Sequence, residues 1–306
     1  MDHQDHEYQN LKRGEVVKLL SVLVMVLLAG GYLVLNRISG DKYRTIAKLP
    51  MEGLRLKMLV PPMLYILERF KVTTKFPLFF FKIQRSVQKL YGQRHSGEKT
   101  LLYVGEMMCY GWLLMIMGCL LTLLMGEATG LVIGGVLGLL LPAAMIKDMH
   151  SKVQKRDHDI LMELPELLSK IVLLVGAGET VQKAISHCVE RKRQEKNHPL
   201  YRELIRMTDD LEGGYSFQQS FENFSKRCAV QEVSIFTTTV LLNFRRGGSD
   251  FVMALSDLSR VLWEKRKAIT RTRGEQASSK LIFPMVVIFV IVIVLVGTPA
   301  FMMMNM

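Results

Sequence analysis

The stretch GGSDFVMAL (Gly247–Leu255) decides the fold of this 306-residue chain once it is set beside two others. AGETVQKAI runs from Ala177 to Ile185, and GGYSFQQSF from Gly213 to Phe221. Aligned, all three read a small residue, Gly, any residue, Thr/Ser/Asp, Val/Phe, two further residues, Ala/Ser, and Ile/Phe/Leu. Thr180, Ser216 and Asp250 are good N-cap residues, because each side-chain oxygen can accept a bond from an orphan N–H of the next turn. The glycines two positions earlier, Gly178, Gly214 and Gly248, suit the left-handed conformation that ends a preceding helix. Ser216 with Gln219 also has the spacing of a capping box. Phe251, Ala254 and Leu255 then share one face at i, i+3 and i+4. Each phrase predicts a helix–turn–helix corner.

Three corners, with breaks near Asn197–Pro199 and Cys228–Val230, divide Lys147–Lys280 into about six helices. They are placed near 152–176, 180–194, 199–212, 216–227, 230–246 and 250–280. The hydrophobic period is helical throughout, and no run alternates long enough for a sheet. The 134 residues suffice for one compact domain. The last helix has no Gly or Pro before Gly274, and its pattern continues toward the final apolar segment. A tetratricopeptide-like solenoid is the competing fold, since the corners fall 36 and 34 residues apart. The aromatic and small-residue pattern of that repeat is missing.

Outside this region the chain reads as membrane. It is 49% hydrophobic yet carries a formal charge of +12, with a positive mean hydropathy. Four uncharged apolar runs stand out: Leu19–Asn36, Met107–Gly126, Ala128–Ile146 and Leu281–Met306. A helix needs roughly 20 such residues to cross hydrocarbon. Only Glu127 separates the middle two, which predicts a hairpin with Glu127 in water at its turn. Lys and Arg number 3 before Leu19, 14 between Arg37 and Lys99, and 23 between Lys147 and Lys280. Cytoplasmic loops collect these residues, so both long loops belong inside and both termini outside. A signal peptide over 12–31 is the competing reading, but cleavage there would leave the basic Arg37–Lys99 loop outside. The expected fold is therefore all-α: a multi-pass membrane protein with four transmembrane helices and a cytoplasmic six-helix bundle. Its expected divisions are 1–36, 37–106, 107–146, 147–280 and 281–306.

Within the first loop, FPLFFFKIQRSVQKLYG (Phe76–Gly92) has an apolar face interleaved with Lys and Arg. That face suits either the inner lipid surface or packing on the second loop. Gly126, Gly130, Gly134 and Gly138 recur every fourth residue, which lets backbones approach closely in lipid. Their partner is either the second crossing or another copy of the chain. The cysteines, Cys109, Cys119, Cys188 and Cys228, lack metal-binding or redox spacing, and structural disulfides are not expected.

The second loop and last apolar run resemble the F-domain proteins of type II secretion, in the version found in tight-adherence (Tad) pilus systems. The resemblance rests on ELPELLSKIVLLVGAGETVQKAI (Glu163–Ile185), HPLYRELIRMTDDLEGGYSFQQSFENFSKRC (His198–Cys228) and the segment from LLNFRRGG to PMVV (Leu241–Val287). The matching positions are Pro199–Leu200, Glu203–Leu204, Gly214, Arg246–Gly248, Leu255, Leu258 and Pro284. QKLYG (Gln88–Gly92) and the order of crossings look like the tight-adherence B/C subgroup. Ser220–Phe221 departs from the Ala–Leu usual there, so packing behind that corner is expected to differ. The resemblance implies a platform in the bacterial cytoplasmic membrane. It would bind a hexameric secretion ATPase and help extract pilin-like subunits into a filament. Longer members duplicate the domain, so a chain with one copy implies a sister platform protein or a homo-oligomer.

The charged pair Arg245–Arg246 matches the family phrase and is the candidate ATPase contact. RKRQEK (Arg191–Lys196) reads equally well as a solvated helix end. Pro284, where the last helix would enter the membrane, is the candidate kink. Chemistry of the chain's own is not expected. GAGETV (Gly176–Val181) lacks the Lys–Ser/Thr of a phosphate loop. His158–Asp159 has no converging ligands at His150, His187 or His198 to make a metal site. No catalytic, cofactor or metal residue is assigned, and no nucleic-acid readout motif accompanies the charge. A transporter or channel subunit is the competing function. It predicts ionisable residues within the crossings, where the runs offer almost none.

Overall fold

A computed structural model describes residues 2–39, 43, 45–46, 51, 56–126, 128–194, 197–244 and 248–304. Among them there is no strand. Glu127, Arg245 and Arg246, singled out above, lie outside the described residues. The chain divides into two units, 1–156 and 157–306.

In the first unit, α1 spans Asp2–Ile38, α2 Pro61–Arg69, α3 Val72–Lys75, α4 Pro77–Tyr91 and α5 Ser96–Met125. The next helix, α6, begins here and runs unbroken over Thr129–Gly176. Glu15–Ile38 of α1, α5 and α6 are each long and apolar enough to cross a membrane, as is part of the last helix. Their apolar side chains stay uncovered: Leu19 is 73% exposed, Leu27 67% and Leu139 79%. An apolar helix surface of this extent is stable against lipid and unstable against water.

Glycine holds the α5–α6 hairpin together. A methyl group built on Gly134 would lie 2.6 Å from the Gly118 Cα, and one on Gly130 would lie 2.7 Å from the Thr122 Oγ1. Gly138 meets the Gly111 carbonyl at 3.3 Å by the same measure. Of the two partners the sequence left open, the structure seats this face on α5 of the same chain. Gly126 is not part of it. It caps α5 at φ +75°, donating its N–H to the Thr122 carbonyl at 2.9 Å. The Tyr103 hydroxyl donates to the Met145 carbonyl at 2.8 Å, fixing the other end of the pair.

Below the hairpin, α2 and α4 pack on the first turns of α5. Met63, Leu64 and Leu67 of α2 join Ile83 and Val87 of α4 and Leu102 of α5 in one core. Gly105 admits α2: a methyl group there would lie 2.7 Å from a Val60 methyl. The Leu56 N–H donates to Glu106 at 3.1 Å, satisfying a carboxylate that is 2% exposed. The apolar face of α4 therefore packs on α5, neither of the two places its amphipathic pattern suggested. Outside that face, Leu78, Phe79 and Phe81 are exposed.

In the second unit, the end of α6 is followed by α7 (Val181–Arg191), α8 (Pro199–Glu212), α9 (Phe217–Cys228), α10 (Gln231–Phe244) and α11 (Gly248–Met304). The sequence expectation of a separate helix over 152–176 differs from this. No break precedes it, because nothing after Pro142 interrupts the helical ladder until Ala177. Leu164, Leu167, Leu168, Leu204, Phe224 and Phe236 are wholly buried in a single core. Each contributes roughly 1.5–3 kcal/mol by leaving water. Phe221 occupies the place where the family resemblance expects Leu. It is fully buried and contacts the rings of Phe217, Phe224 and Phe236 at 4.7, 6.2 and 5.9 Å. The continuous last helix expected from the lack of breakers is present as α11, 57 residues long.

The glycine contacts separate two neighbouring substitutions. Gly134→Ala drives a methyl into the Gly118 backbone, which cannot yield, and is expected to destabilise by about 1–3 kcal/mol. Gly135→Ala meets nothing within 4 Å and is expected to be neutral or stabilising by up to about 1 kcal/mol. Thermal unfolding of both purified variants in detergent checks the contrast. Equal midpoints would remove the close contact as the reason for Gly134.

Candidate functional site

The corners of the second unit are built from the repeated phrase. At the first, Gly178 has φ +98°. Its N–H donates to the Val175 carbonyl, and the Glu179 N–H to the Leu174 carbonyl, both at 3.0 Å. These are the paired bonds of a Schellman cap. Thr180 then accepts the Lys183 N–H at 3.3 Å and starts α7. The second corner repeats this atom for atom. Gly214 has φ +90°, and the Gly214 and Tyr215 N–H groups donate to Leu211 and Asp210 at 3.1 Å. Ser216 accepts the Gln219 N–H at 3.2 Å.

The third corner differs. Gly248 is already helical, and Asp250 sits within the first turn of α11 instead of before it. There its carboxylate faces the positive end of the helix dipole. Two further corners use other chemistry. His198 accepts the Leu200 N–H on Nδ1 at 3.3 Å ahead of Pro199. Ala229 closes α9 in the left-handed region at φ 52°.

Between the corners lies a cluster of charge that sequence reading passed over. The Glu203 carboxylate is only 4% exposed. It accepts from Arg227 Nε at 3.1 Å and from Arg206 Nη1 at 3.3 Å, with Arg202 Nε at 3.4 Å. Arg227 also donates to Asp210 at 2.9 Å, tying α8 to α9. The available signal was a carboxylate on the apolar stripe of Leu200, Leu204 and Met207. A buried acid in such a place requires a cation. A second seam joins α6 to α11. Trp263 Nε1 donates to Ser169 Oγ at 3.2 Å, and the Ser169 and Ser259 hydroxyls lie 3.1 Å apart. Lys265 pairs with Glu232 of α10, and the Arg266 guanidinium lies 4.9 Å from the Trp263 ring centre.

The other candidates fall apart in space or into structural roles. Among the described residues, no group of three or more His, Cys, Asp or Glu converges. His187 faces Glu179 at 3.7 Å, while His198 is the cap on α8. Of RKRQEK, Arg193 pairs with Glu190 at 2.9 Å, and Glu195 and Lys196 lie outside the described residues. All four cysteines are free and buried. Burial pushes the Cys188 thiol up, away from the reactive thiolate. Pro284 lies inside α11, among side chains from Leu281 to Leu295 that are all uncovered wherever described.

Removing the Glu203 carboxylate is expected to cost about 1–3 kcal/mol in Glu203→Ala, since its charge-assisted hydrogen bonds are lost while Arg202 and Arg206 return to water and Arg227 keeps Asp210. Asp257→Ala removes an exposed pair with Arg260 and is expected to have little effect. Denaturant unfolding of the two variants checks the difference. Comparable small losses would show that the cluster does not hold α8 against α9.

Residues 167–299 match the family model described as Type II secretion system (T2SS), protein F. The matched stretch begins in the last turns of α6, includes α7 to α10, and ends near the end of α11. No curated protein and no solved structure matches the chain. Residues 167–299 therefore carry a domain of the type II secretion system protein F family.

Proposed function

We propose that the chain is a platform of a type II secretion or tight-adherence (Tad) type pilus machine in the bacterial cytoplasmic membrane. In this reading, residues 37–106 and the helical unit face the cytoplasm, and both termini lie outside. The platform couples a hexameric secretion ATPase to the extraction of pilin-like subunits. It works beside a sister platform protein or a second copy of itself.

The observation that carries this reading is the make-up of α11 within the family-matched segment. Phe251, Leu255 and Leu262 bury its first turns in the helical core. The same helix continues through Leu281–Leu295, an apolar stretch uncovered on every side. One rigid element thus joins a packed polar-faced bundle to a membrane span. A push or rotation received by the bundle has a direct route into the membrane. The basic pair Arg245–Arg246, immediately before α11, is the proposed contact for an acidic ATPase surface.

Two experiments test the reading. Mild-detergent extraction from native membranes is expected to co-purify a hexameric secretion ATPase. The paired change Arg245→Glu and Arg246→Glu should release the ATPase from a chain that remains folded. Recovery of neither an ATPase nor a pilin-like partner under conditions that preserve complexes would overturn the platform. Separately, Thr270→Pro breaks the helical ladder between bundle and span at a cost of about 3 kcal/mol or more. The variant is expected to insert and retain the ATPase while filament assembly falls below detection. Normal assembly would exclude α11 as the transmitting element.

A further inference from the structure

The first unit carries an apolar groove of about 950 Å³ that the platform reading does not use. Phe76, Phe79 and Phe80 form one side, Trp112 and Met115 of α5 another, and Leu139 of α6 a third. Two of these sides belong to helices apolar enough to cross a membrane, so the groove opens where lipid chains lie. Hydrocarbon is the solvent it meets.

Its aromatic end is also the basic end. From Arg69 to Gly97 the chain has seven Lys and Arg and no Asp or Glu. Lys71, Lys75, Lys82 and Arg85 are exposed. So are the neighbouring rings of Phe76, Phe79 and Phe81. Lys75 directly precedes Phe76, and Lys82 stands one turn beyond Phe79. Apolar rings interleaved with unopposed cations complement an anionic headgroup above an acyl chain.

We propose that this groove seats an acyl chain of one anionic phospholipid. Lys75 and Lys82 hold its phosphate. The hydrocarbon groove sets the affinity for the chain, and the lysines set the choice of headgroup. A zwitterionic lipid fits the groove equally well and gains nothing from the net positive charge. The α4 segment then works as a lipid-anchored wall, its inner face packed on α5 and its outer rings in the bilayer surface.

The test uses the full chain, reconstituted in bilayers of equal phosphatidylglycerol and phosphatidylcholine, released in mild detergent and weighed intact by native mass spectrometry. One retained phosphatidylglycerol is expected, preferred about 25-fold over phosphatidylcholine, about fivefold for each of the two lysines. Lys75→Gln with Lys82→Gln should lower that preference by about fivefold for each lysine removed, with a lipid still bound. Gly135→Phe projects a ring from a groove-lining position where an added Cβ meets nothing within 4 Å. It should abolish retention of either lipid while the unfolding midpoint holds. A chain that emerges free of lipid, or retains the two lipids equally, overturns the proposal. So does phosphatidylglycerol retention unchanged in a folded Gly135→Phe chain, which would place the lipid elsewhere and leave the groove to a protein helix. Should Gly135→Phe fail to fold, the lysine pair decides by itself.

Discussion

A chain in hydrocarbon must bond each peptide group to its own segment, because no water is present to take the N–H or carbonyl left over. Helix ends are where four of each remain unpaired, so they are costly inside the membrane and cheap outside it. In this protein the constraint extends the helices well beyond what the bilayer needs. The α6 helix runs for 48 residues and α11 for 57, about 72 and 85 Å at 1.5 Å per residue. Both carry their apolar portions and a share of the folded core on one continuous ladder. The C-terminal end of α6 is then satisfied by the Schellman bonds of Gly178 and Glu179.

Because water does not drive helices together in lipid, the two units are held by opposite means. In the hairpin, association depends on close backbone approach and dispersion, and glycine is what permits it: Gly118 against Gly134, Gly111 against Gly138. In the helical unit, burial of large side chains does the same task, with Tyr201, Phe221, Phe224, Phe236 and Phe251 among the biggest wholly buried groups. Adding a methyl therefore breaks the first and deleting one breaks the second. Charge is treated differently as well. Glu203 is held in the helical unit by three arginines, whereas Glu106, on α5, takes a backbone N–H.

The features legible from sequence were those encoded locally. The left-handed glycine and capping hydroxyl at Gly178 and Thr180, and at Gly214 and Ser216, are properties of a few adjacent residues. Apolar runs mark the crossings for the same reason. What stayed hidden depends on distant partners. Gly111 and Gly118 lie seven residues apart on α5, and only the register with Gly138 and Gly134 gives them meaning. Arg227 meets Glu203 across 24 positions, a pairing that no helical period announces. The continuity of α6 was missed because a change from apolar to charged composition looks like a boundary. The helical ladder is indifferent to that change. Asp250 shows the complementary error, since the same residue type that caps a helix is equally favoured in its first turn.

In the platform proposed above α11 transmits motion, and its compliance then matters more than its length. The bundle grips it through Leu262, Trp263 and Lys265, the last bonded to Glu232. From there to Leu281 the helix has about 16 residues, some 24 Å, with side chains largely in solvent and support such as the Arg271–Glu275 pair at 3.3 Å. An α-helix of that length resists bending through its own hydrogen bonds, so in this proposal displacement of the gripped end is conveyed to the membrane entry. Pro284 then removes one N–H from the ladder and leaves the Lys280 carbonyl without its helical partner. It does so where polar sequence gives way to apolar. In the same proposal, a soft point at that position converts a swing of the polar shaft into a tilt of the span while leaving the span's own bonding intact. Placed a few turns earlier, the same proline would absorb the motion in water before it reached lipid.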